Sequence, residues 1–123
     1  MTRPADHTAA LRAHANGIYP LEAGMELIIK HASWLRRSDF TAFIDTGPGP
    51  LTATYLAWVD WQAATNALNS GDLPCSDSEA GILRLAASMA SGIPVDLRRA
   101  LTGLDDRNAC LVRHAVQHST GHR

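Results

Sequence analysis

Cysteine, lysine and aromatic side chains are all scarce in this chain, and each scarcity excludes something. Cys75 and Cys110 are the two cysteines among 123 residues and form no CxxC pair, so a disulfide framework is not expected and reduced thiols are the simpler reading. Aromatics make up only 6% of the residues. One lysine accompanies ten arginines, and the net charge is −1 with a pI near 6.6. A protein built to grip a phosphate backbone normally carries a basic surplus, and this one has none. The same balance argues against a membrane-surface protein. Apolar runs last only a few residues, far short of the roughly 20 that span a bilayer as a helix. Met1 to His7 lack the apolar region of a signal peptide, so a cytoplasmic location is expected. P-loop, GxGxxG, GxSxG and EF-hand patterns are missing as well.

What is present reads as an ordinary globular chain. Hydrophobic residues are 46% and charged residues 19%, enough at this length to bury a core without a disulfide or metal. Residues 1–17 are expected to be an N-terminal arm or short helix, and 18–123 a single helical domain. Pro20 and Glu22 mark a helix start. Leu21, Met25, Ile28, Ala32 and Leu35 then recur every three or four residues, flanked by Leu27, His31 and Trp34, which predicts one amphipathic helix to Arg36 or Arg37. Gly24 weakens it slightly. Ser38 and Asp39 cap a short turn, and residues 46–50 (TGPGP) break regular structure. Residues 51–59 suit either a strand pairing with 43–45 or the front of a helix.

Asp60 is placed to cap a helix over 61–69. Ser76 and Glu79 have the spacing of a capping box, ahead of a nearly all-apolar stretch from Ala80 to Ala90 whose only polar line is Arg84 and Ser88. So narrow a wet face predicts the central helix of a bundle. Pro94 opens a short helical piece to Gly103, and Asp105 or Asp106 starts a last helix to about Ser119. The expected fold is therefore all-α: a compact bundle of five to six helices, with room for one small β-hairpin around 43–59.

Chemistry-bearing residues are few, and each has a plainer reading. His114, His118 and His122, four apart, could hold a metal, but no acid lies between them as in HExxH, and His122 falls beyond Gly121. A solvated last turn with favourable dipole contacts is simpler. Cys75 precedes the best helix, whose N-terminus would lower its pKa, although a structural thiol is preferred. Tyr55, Trp58 and Trp61 are either a recognition surface or core filling. Residues 83–101 have the outline of a helix-turn-helix with Arg98 and Arg99 on its second helix, but Pro94, Val95 and Asp96 sit where base-reading side chains belong. Arg107, within 103–108 (GLDDRN), could clamp an anion.

The segments Trp34 to Arg37, Asp60-Trp61, Leu73 to Ser76, Leu83 to Ser88, Gly92 to Leu97 and Gly103 to Asn108 resemble a group of short, uncharacterised helical proteins of actinobacteria, over most of the chain from about Leu21 onward. The resemblance implies a GC-rich bacterial origin and brings no site residue with it. Lacking a convergent catalytic set, the chain is expected to be a non-enzymatic intracellular module binding another protein or itself, with no cofactor. Trp58, Trp61, Arg98, Arg99 and Arg107 are the candidate interface residues. A small DNA-binding regulator using 83–101 and a metal- or thiol-dependent enzyme are the rivals.

Overall fold

The computed structural model describes residues 7–50 and 55–121. Among the described residues, seven α-helices and a two-stranded hairpin form a mainly helical fold. In chain order these are α1 (His7–Ala15), α2 (Tyr19–His31), a 3-10 turn (Trp34–Arg36), α3 (Ser38–Thr41), β1 (Ile44–Pro48), β2 (Tyr55–Val59), α4 (Trp61–Asn69), α5 (Asp77–Ser91), α6 (Leu97–Thr102) and α7 (Asp106–Ser119). Among the described residues no helix is long and apolar enough to cross a membrane.

The helix starts follow local chemistry. Ser76 Oγ accepts the Glu79 N–H at 3.1 Å and Glu79 Oε1 accepts the Ser76 N–H at 3.0 Å, so two donors orphaned at the start of α5 are satisfied reciprocally. Asp60, Asp96 and Asp105 each accept the N–H three residues on, starting α4, α6 and α7. Gly92 ends α5 in the left-handed region, at φ 71°, where a Cβ would be strained. The short stretch 93–96 is not helical, so Pro94 lies ahead of α6 and does not open it.

Packing is tightest where α2 crosses α5. A Cβ added at Gly24 would lie 2.6 Å from the Ala86 carbonyl oxygen and 2.8 Å from Ala90 Cβ. The two helices meet backbone against side-chain stub, and only glycine allows it. The glycine expected merely to weaken α2 is what lets α5 approach. Ile82, Leu83, Leu85, Ala86 and Ala87 are all buried, as a central helix requires. Leu11 and Ala15 of α1 belong to the same core.

One boundary departs from expectation. The helix foreseen to Arg36 or Arg37 stops at His31, because Ala32 takes φ 73°. A non-glycine residue in so sparsely populated a region costs on the order of 1–3 kcal/mol, and the turn it makes carries Trp34 inward. Trp34 is fully buried, its ring 5.6 Å from Phe40, and its Nε1 donates to the Glu79 carbonyl at 3.0 Å. Burial of the largest side chain outweighs one strained backbone residue.

The hairpin is the extended alternative. β1 pairs antiparallel with β2 from Ile44 opposite Val59 to Pro48 opposite Tyr55, so regular structure continues through Thr46, Gly47 and Pro48, which were expected to break it. Both strands are edges, and a proline at the end of an edge strand needs no ladder partner.

Candidate functional site

A cleft with a volume of about 440 Å³ lies between α4, α5, the 93–96 stretch and α6. Its floor is a close helix contact: a Cβ at Gly81 would come within 2.7 Å of the Ala100 carbonyl oxygen, and one at Gly103 within 3.2 Å of Asp77 Cβ. These two contacts show that α6 folds back along α5. The six residues of α6 are about 9 Å of helix.

Polar groups are unevenly satisfied in the cleft. Arg84 donates from Nη1 to Asn69 Oδ1, joining α5 to α4. Among the described residues, the guanidinium of Arg99 and the carboxylate of Asp77 have no hydrogen-bond partner, though both line the cavity. Thr65 lines it too and is 6% exposed, and its Oγ1 is buried without a partner. Such an orphan hydroxyl is uncommon in a native interior. Ile93, Val95 and Ala100 form an apolar arc beside these groups.

On its other side α6 is bare. Leu97 is 55% and Leu101 46% exposed, one turn apart, and only Ala100 on this helix is buried. Leu97 and Leu101 project roughly 40° apart around the helix axis, while Arg99 projects some 160–200° from them. The apolar pair and the cleft are therefore separate surfaces.

The candidate interface residues do not gather. Trp61, the first residue of α4, is buried, and Trp58 lies half-buried in the hairpin, its ring 5.7 Å from His14. Arg98 is exposed on α6, and only Arg99 reaches the cleft. Arg107 donates from Nη2 to the Lys30 carbonyl at 3.2 Å. That carbonyl belongs to the last turn of α2, whose negative dipole end attracts the guanidinium. Arg107 closes a helix and is not placed as an anion clamp. Asn69, Asp77, Arg84, Leu97 and Leu101 were not singled out as site residues. The seven-residue spacing of Asp77 and Arg84, two helical turns, was the available signal.

The remaining candidates also find structural partners. His118 Nε2 lies 2.7 Å from Glu22 Oε1, so it clasps the end of α7 to the start of α2. His114 Nδ1 is 4.0 Å from Cys110 Sγ, and His122 lies outside the described residues. Among the described residues no three His, Cys, Asp or Glu side chains converge to hold a metal. Burial pushes the Cys75 thiol up, helped by the Glu79 carboxylate, against the opposing pull of Arg37 and Arg84. The helix start does not make it a thiolate.

In the sequence His31 only widens an apolar stripe. It is 4% exposed and its Nδ1 is buried without a partner. Burial first, then the Arg107 guanidinium, holds its pKa below the ordinary 6.5, while Glu79 and Asp105 pull the other way. It is an imidazole kept neutral in the core.

No protein family, curated protein or solved structure matches this chain.

Proposed function

We propose that this chain is a non-catalytic helical binding module that associates with a second copy of itself through α6. The observation that carries this is the bare pair Leu97 and Leu101. Two such helices laid antiparallel put Leu97 of each against Leu101 of the other, a self-complementary contact of the kind a two-fold axis requires. Arg98, exposed beside them, would sit at the rim, where arginine is well tolerated. A six-residue helix offers a small patch beside the roughly 1,200–2,000 Å² buried in stable complexes, so the dimer is weak and forms as concentration rises. The same reading places the protein in the cytoplasm, where the unpaired Cys75 and Cys110 stay reduced.

Sedimentation equilibrium across the micromolar to millimolar range tests this. The mass of the unaltered chain is expected to climb towards that of a dimer. The double variant Leu97→Glu/Leu101→Glu should remain monomeric with an unchanged helical dichroism spectrum. An unaltered chain that stays monomeric throughout, or a double variant that still dimerises, overturns the proposal.

A further inference from the structure

The cleft between α4, α5 and α6 has features that self-association leaves unused. Its charges are balanced and set apart. Asp77 and Arg84 are seven residues apart on α5, so they line one side of the cleft with their Cα atoms about 10 Å apart. The backbone and Cβ of Asp77 lie beside Gly103, and the guanidinium of Arg84 lies beside Asn69. Asn69 gives its Oδ1 to Arg84, which holds that guanidinium in place and leaves the amide N–H groups of Asn69 to donate elsewhere. Arg99 adds a second guanidinium from the facing wall.

A phosphate would meet two guanidiniums here but also the carboxylates of Asp77 and Asp96, which line the same cavity. Like charges so close oppose a dianion and favour a ligand carrying both signs. About 10 Å corresponds to roughly three extended residues. A volume of about 440 Å³ is also in the range of pockets that enclose small organic molecules. The amide N–H groups of Asn69 can donate to the polar backbone of a peptide, while Ile93, Val95 and Ala100 receive an apolar side chain.

From this we infer that the cleft is a binding site for a short zwitterionic peptide of about three residues. Its amino terminus faces Asp77, and its carboxylate is held by Arg84 and Arg99. Bidentate contact with guanidinium groups makes the carboxylate end the stronger anchor. Leu97 and Leu101 face away from the cleft, so peptide binding and self-association succeed or fail separately.

The test is titration of the full chain with alanyl-leucyl-alanine, followed by calorimetry and by amide resonances in nuclear magnetic resonance. Saturable binding is expected, with the resonances of Asn69, Arg84 and Arg99 shifting. Amidating the peptide's carboxylate should weaken binding by about tenfold or more, and acetylating its amino terminus by less, as charge-assisted bonds are lost. In Arg84→Met/Arg99→Met the amidated and free peptides should bind alike, and in Asp77→Asn the acetylated and free peptides should. Both variants leave the Ser76–Glu79 capping box in place, and their dichroism spectra check the fold. Binding that ignores both end groups overturns the inference. So does inorganic phosphate shifting these resonances more strongly than the peptide, or no shift with any probe up to its solubility.

Discussion

The meeting of α2 and α5 and the short helix α6 treat similar side chains in opposite ways. At the first, Ile28 and Leu83 are wholly buried and Gly24 lets the backbones nearly touch. On α6, Leu97 and Leu101 are about half exposed and Ala100 alone is covered. Ser76 caps α5 and Asp96 caps α6, α2 starts at a proline without a side-chain cap, and all three carry apolar residues at helical spacing. The difference lies in the neighbours: α5 is enclosed by α2, α4, α6 and α7, whereas α6 rests on α5 alone among its closely packed partners. Burial at the first region serves stability. The side chains and cleft left open around α6 are where a second molecule has something to gain.

The largest test of this contrast is Trp34→Ala. Trp34 is fully buried, and its indole donates to the Glu79 carbonyl, so removal should cost about 3–5 kcal/mol, read from urea unfolding. A loss below about 1 kcal/mol would mean that this region is not the stabilising one.

The next test is pH. The unfolded chain takes up a proton on His31 near 6.5, whereas the folded chain resists it to a lower pH. Stability from this group is therefore complete above about pH 6.5, is lost as pH falls below it, and levels off once the folded imidazole also protonates. Urea midpoints compared between about pH 7.5 and 5.5 should fall less in His31→Gln than in the unaltered chain. Equal falls would show that His31 contributes nothing to the acid side of the profile.

The smallest effect is expected at α6. Leu97→Ser/Leu101→Ser should change unfolding free energy by no more than about 0.5 kcal/mol, as exposed substitutions usually do. A loss of several times that would show that the pair already holds the monomer together.

Much of the helical outline was legible because its causes are short-range. Ser76 and Glu79, Asp60, Gly92 and the apolar stretch from Ala80 to Ala90 act within a few residues, and each element formed as those residues indicated. The end of α2 was not legible. Its apolar spacing runs on through Ala32 and Leu35, and the break at Ala32 makes sense only once Phe40 and Glu79 are seen around Trp34. The site was harder still. Arg107 and Arg99 look alike as sequence, yet one closes α2 and the other lines a cleft. Asp77 read as helix-start charge and Arg84 as a wet line, with no sign that α4 and α6 would wall a cavity over both.

By itself the amino-acid order determined where most helices begin and that they would predominate. Dihedral preferences, caps and side-chain spacing act over a turn or two, and composition needs no fold. Only the tertiary structure decided which leucines are covered, that His31 sits neutral in the core, and that Arg84, Arg99 and Asp77 share one space. Those outcomes depend on what residues far along the chain place opposite each side chain, and water is excluded or admitted only once every neighbour has arrived.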